Sequence, residues 1–149
     1  MILLPDELRR RLRANAAAHH DAMQHGVVQN AAIQNGTHEP DPLPVVKFFN
    51  PVGAATWLAT ELDSDGDTLF GLADLGFGSP ELGSFSLSEI ASVRLRFGLT
   101  IERDLHFAPR FPMSVYAEAA RHMGFIAEDE ARLQSAALRL ASKFPPSGG

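Results

Sequence analysis

Between residues 61 and 76 the chain reads ELDSDGDTLFGLADLG, placing Glu61, Asp63, Asp65, Asp67 and Asp74 in one stretch without a basic residue. Alternating aspartates are the oxygen donors of a calcium loop, which also needs a glycine at its sharp turn and a bidentate glutamate at its end. Counted from Asp63, Thr68 stands where that glycine belongs and Asp74 where that glutamate belongs. The flanks TWLATEL and TLFGLADL are strand-like rather than helical, and Asp65-Gly66 is a strong hairpin-turn signal. A polar hairpin turn is therefore the preferred reading. With Asp65-Gly66 at the turn, Leu62 pairs with Leu69, Glu61 with Phe70, Ala59 with Leu72 and Trp57 with Asp74. One face then holds Trp57, Ala59, Glu61, Phe70, Leu72 and Asp74.

Past the hairpin, GFGSPELG supplies three glycines and a proline, which let the backbone bend sharply. It is no phosphate loop, because the terminal Gly-Lys-Ser/Thr is missing. Asp74, Glu81 and Glu61 are the candidate metal ligands, and a divalent metal ion is the one cofactor these acids could hold. Asp74, Glu81, Lys47 and Arg103 are the candidate catalytic groups. Together they would make a metal-assisted hydrolase of nucleic acid or phosphoester, with Lys47 or Arg103 steadying charge in the transition state. The structural alternative is an internal ion pair of Arg103 with Asp74 or Glu81. A third arrangement uses Asp63, Asp65 and Asp67, with Trp57 nearby, as an acidic interaction surface for a protein partner of basic character. Neither G-x-S-x-G nor a zincin histidine pair occurs.

The elements that must position these groups follow from periodicity. Leu4, Leu8, Leu12 and Ala16 recur every four residues, and Pro5, Asp6 and Glu7 suit a first helical turn. Arg9, Arg10, Arg11 and Arg13 lie largely off that stripe, as a solvated basic face or a patch for nucleic acid. In HHDAMQH, Asp21 and His25 are one helical turn apart, a pair that could chelate a metal only with further ligands. Residues 24–43 read as an irregular connection punctuated by Asn35-Gly36 and by Pro40, Pro42 and Pro44. Strands are expected in PVVKFFNP, AATWLATEL, TLFGLADL and ELGSFSL, then a helix over LSEIASVRL capped by Ser86 and Glu89 and closed near Gly98. LTIERDLHF alternates Leu99, Ile101, Leu105 and Phe107 on one side, with Arg103 on the same side. Helices in MSVYAEAARHMG and EDEARLQSAALRLASKF complete the order, and PPSGG reads as a frayed tail.

The chain's 149 residues suit one hydrophobic core. Its lack of cysteine excludes disulfides and thiolate metal sites, and no run approaches the length of a membrane span. The expectation is a cytoplasmic protein with no membrane role. Net charge is −5, yet between Lys47 and Arg94 there are seven acids and no Lys, Arg or His. That stretch carries −7 and the rest of the chain +2. An acidic centre disfavours gripping a phosphate backbone and suits a cation or a basic partner.

LLPDELRRRLRAN, the run from PVVKFFNP through SFSLSEI, IERDLHF and SVYAEAAR together resemble a bacterial family of unknown function, a numbered member of the DUF series. The most specific pieces are GAATWL, DTLFGLADLG, PELG and IERD. The resemblance implies a cytosolic protein of plasmids, integrative elements and related mobile DNA, and brings no catalytic residues to carry over. The fold expected is α+β: an N-terminal helix, a mostly antiparallel sheet of four or five strands, and C-terminal helices packed on one face. Residues 1–125 would form the single domain and 126–149 a helical extension. The function expected is an accessory interaction module with an acidic patch. The hydrolase, and DNA binding through the first helix, stand as alternatives.

Overall fold

A computed structural model describes residues 1–25 and 39–143. The expected irregular connection therefore falls largely outside the described residues, as does the tail at 144–149. So does the side chain of His25, and with it the Asp21–His25 pair.

Helix α1 (Asp6–His25) begins after Pro5 with Asp6 and Glu7 in its first turn, where carboxylates oppose the positive end of the helix dipole. Four strands follow as a meander: β1 (Val46–Phe49), β2 (Thr56–Leu62), β3 (Thr68–Asp74) and β4 (Glu81–Ser86). A short helix α2 (Leu87–Ser92), a 3₁₀ turn (Arg96–Gly98) and the two-residue strand β5 (Glu102–Arg103) lead to α3 (Met113–Met123) and α4 (Glu130–Lys143). The sheet order is β4-β3-β2-β1-β5, with every neighbour antiparallel. The α+β expectation holds, and C-terminal helices do cover one face. The N-terminal helix packs into the core of the other face.

That division reads off alternate residues of β2. Trp57, Ala59 and Leu62 join Leu4, Leu12, Phe48 and Leu69 in one core, which also takes Leu87 and Ile90 of α2. Leu58 and Leu72 join Met113, Tyr116, Ala119, Ala120, Leu133 and Ala136 in the other. A strand buried on both faces is nearly all apolar, and Trp57, Leu58 and Ala59 are all buried, with the polar Thr60 buried beside them. Among the described residues no helix is long and apolar enough to cross a membrane.

The hairpin register departs from expectation at one residue. Next to the turn the pairs are those expected, Leu62 with Leu69 and Glu61 with Phe70. A bulge then shifts the ladder, so that Ala59 faces Gly71, Leu58 faces Leu72, Trp57 faces Ala73 and Thr56 faces Asp74. The extra residue is Thr60, whose hydroxyl donates to the Phe70 carbonyl (3.4 Å) and whose own carbonyl accepts from Asn15 Nδ2 (2.9 Å). Gly71 permits the close approach, since a Cβ there would lie 1.9 Å from the Leu58 carbonyl oxygen. The shared face expected from a straight register is thus split: Trp57 and Ala59 turn to the α1 core, while Leu72 stays under α3 and α4.

The expected strand over Leu99 to Phe107 is reduced to Glu102 and Arg103. Its partner β1 is only four residues long, and Asp104 turns the chain away by accepting the His106 amide on its carboxylate (2.8 Å). The single apolar row is broken accordingly. Ile101 enters the α1 core, Phe107 packs with α3 and α4, and Leu105 is exposed.

Candidate functional site

Strand β1 pairs with β2 only as far as Ala59, so the carbonyls of β2 beyond that point lack a strand partner on that side. Helix α1 supplies donors instead. Asn15 Nδ2 reaches the Thr60 carbonyl, Arg13 Nη1 the Leu62 carbonyl and Arg9 Nη1 the Gly66 carbonyl, each at 2.9 Å. Two arginines of the expected basic patch are therefore spent on the hairpin, whereas Arg10 and Arg11 are exposed.

Further along α1, His19 meets β2 on the opposite side of that backbone. Its Nδ1 lies 2.9 Å from Glu61 Oε2, and its Nε2 lies 2.5 Å from Glu39 Oε1 on the segment leading into β1. Two carboxylates on two ring nitrogens require both nitrogens to donate, which is the imidazolium form. Burial, the largest single influence, lowers the His19 pKa. Hydrogen bonds and charge attraction from Glu61 and Glu39 together outweigh it and leave the value raised above the ordinary 6.5.

A groove of about 350 Å³ opens beside this group. The sheet row Glu61–Phe70–Ser84 forms its floor, Asp63 and Thr68 lie toward the turn, and Ala16, His19, His20 and Met23 of α1 form its wall. Phe70 is 36% exposed. Two carboxylates, those of Glu61 and Asp63, line the groove against one imidazolium, and Glu39 bonds that imidazolium from outside the lining, so the group is net negative. An aromatic face beside carboxylates suits the head and stem of a lysine or arginine.

The remaining sequence candidates separate. Asp65 accepts the amides of Asp67 and Thr68 (both 2.8 Å) and the Thr68 hydroxyl (2.6 Å), which lower its pKa. Asp67 accepts from the Ser86 hydroxyl (2.7 Å) and the Ser88 amide (2.8 Å), with the same effect, and so braces the start of α2. Of the proposed acidic patch, Asp63 alone lines the groove, and Trp57 is core. Asp74 is buried, accepting the amides of Gly76 (2.9 Å) and Ile126 (3.1 Å), and ties β3 to the loop between α3 and α4. Glu81 is exposed and pairs with Ala73, whose side chain points to the face opposite Asp74. Lys47 bonds Glu128 (2.7 Å) and Asp104 (3.6 Å).

Arg103 corrects the sequence expectation most directly. It lies on the edge strand three positions across the sheet from β3, and among the described residues no carboxylate pairs with it; its Nε is buried without a hydrogen-bond partner. The acids and cations of the hydrolase arrangement do not converge, and that arrangement fails. Among the described residues no group of three or more His, Asp or Glu side chains is arranged to hold a metal ion. His19 and Glu39 were not legible as site residues, because neither belongs to a motif and 20 residues separate them.

No solved structure matches the chain. A stretch of 54 residues, 36% of the chain, is 44% identical to a dihydroorotate dehydrogenase (quinone) of Janthinobacterium sp. (strain Marseille). The likeness covers only 14% of that enzyme and carries no activity to this chain. Residues 3–127 match the family described as Protein of unknown function (DUF2958), and the chain, with its helix-flanked antiparallel meander, belongs to that family.

Proposed function

We propose that this chain is a protein-interaction module that receives a basic segment of a partner protein in the groove between α1 and the β2–β3–β4 face. This fits the accessory role, in the cytoplasm and on mobile DNA, that the family resemblance led us to expect. One observation carries the reading: Glu61 and Asp63 stand beside the half-open ring of Phe70 in a single groove. Carboxylates steer a cation in and the ring holds it, a combination that bulk acidity does not provide.

Calorimetric titration with a peptide of spaced arginines, against the same peptide carrying citrulline, tests this. The arginine peptide alone should bind, and Phe70→Ala and Asp63→Asn should each weaken it about tenfold, equivalent to about 1.4 kcal/mol. Phe70→Ala is the sharper variant because it leaves net charge untouched. Unchanged affinity in both variants, with the fold intact by circular dichroism, would sink the basic-segment reading.

A further inference from the structure

A second groove, of about 250 Å³, runs between α3 and α4 on the outer side of the C-terminal layer. Its polar lining is His122 of α3 with Arg132, Ser135 and Arg139 of α4, and no carboxylate lines it. Arg132, Ser135 and Arg139 are spaced by three and four residues and so share one stripe of α4, about 10 Å long. Lys143 continues it one turn on.

The charges around this groove do not balance. The Glu118 carboxylate, 5% exposed, is shared by Arg121, Arg139 Nε (3.5 Å) and Lys143 Nζ (3.1 Å). Arg132 pairs with Asp129 (3.3 Å), both side chains being about half exposed. Four permanent cations are thus matched by two carboxylates. Arg139 uses Nε toward Glu118, which leaves its two terminal nitrogens, a fork suited to two oxygens of one anion. The exposed Ser135 hydroxyl stands one turn before it.

We infer that this groove binds phosphate groups, and that their source is a nucleic-acid backbone. A 10 Å stripe spans about three nucleotides at a rise of about 3.4 Å per strand. A stripe, rather than a closed pocket, fits a repeating polyanion. The site is distinct from the basic face of α1, and its α4 side lies beyond the family match, which ends at residue 127.

The test is fluorescence anisotropy of a labelled 20-base-pair duplex with the full chain across a salt series, with inorganic phosphate as a separate ligand in thermal unfolding. Two to three neutralised phosphates predict a slope of log affinity on log salt between about −1.8 and −2.7. Ser135→Glu and Arg132→Gln, both at exposed positions, should each lower duplex affinity at least about fivefold while leaving the unfolding midpoint unchanged. Arg10→Ala with Arg11→Ala should leave it as it is. Binding that persists in Ser135→Glu, or that disappears with Arg10 and Arg11 instead, would overturn the assignment. Stabilisation by inorganic phosphate, lost in Ser135→Glu, without duplex binding would overturn nucleic acid as the source.

Discussion

The two helical layers use charge in opposite ways. On the α1 side, Arg9 and Arg13 are anchored to backbone carbonyls of the β2–β3 hairpin and do not line the groove, whose lining carries Glu61 and Asp63. On the α3–α4 side, three cations converge on the single buried carboxylate of Glu118, and the excess is positive. A net charge of −5 describes neither surface. What decides the character of each groove is where the fold anchors each charge: carbonyl bonds hold Arg9 and Arg13 at the hairpin, away from the groove lining, while Glu118 gathers cations beside the other groove.

The change with the largest expected effect removes the sheet from beneath both layers. Gly71→Ala would push a methyl group into the Leu58 carbonyl, a contact with backbone that no rotamer relieves. A loss of about 3 kcal/mol is expected, with both grooves affected together. Chemical denaturation measures it; a loss under about 1 kcal/mol would mean the bulge can move along β2. Asn15→Ala combined with Arg13→Ala comes next. Each strips a donor from a β2 carbonyl that β1 does not reach, at about 1 kcal/mol apiece. Hydrogen exchange should rise in residues 60–70 and not in α3. Equal loosening of both layers would contradict their independence.

Glu118→Gln acts on the other layer. It removes the charge that three cations share, but Arg121, Arg139 and Lys143 have side chains 67%, 32% and 51% exposed and can turn to water. The cost should therefore stay near 1 kcal/mol, below the several expected for a fully buried pair. The same substitution raises the positive excess, so duplex affinity should increase even as stability falls. No change in affinity would separate Glu118 from the groove beside it.

How much of this was legible in the sequence varies with the kind of signal. Elements with a strong local period, α1, β2, β3, α3 and α4, lie where their apolar spacing and end residues place them, because period and capping are properties of neighbours in the chain. The turn at Asp65-Gly66 was legible for the same reason. Thr60 was not: a bulge has no composition of its own, and the donor that satisfies its carbonyl, Asn15, lies 45 residues away. That one residue moved Trp57 from a proposed interaction face into the core. Arg103 was misjudged because strand alternation was extended over nine residues where only two pair. The His19–Glu61–Glu39 group joins three separate segments, and nothing in any one of them announces the other two.

The smallest expected effect is also the most specific to the α1 side. The His19 pKa is raised in the folded chain, because the attraction of Glu61 and Glu39 exceeds the cost of burial. The folded form therefore holds the proton more tightly than the unfolded chain, whose value is near 6.5. Stability from this group is fully present below that value and is lost as pH rises through the raised folded value. Asp65 and Asp67 have the opposite sign: their lowered values support the hairpin above the ordinary carboxylate range, and that support is lost as pH falls through their folded values. The α1 side should accordingly weaken at both ends of a pH series, through different residues. His19→Gln should flatten only the limb that lies above the ordinary histidine value, seen as hydrogen exchange in the last turns of α1. The acid limb should stay unchanged in that variant. If His19→Gln leaves the neutral limb as steep as in the wild type, the imidazolium is not what holds the end of α1 to β2, and another contact of α1 must do so.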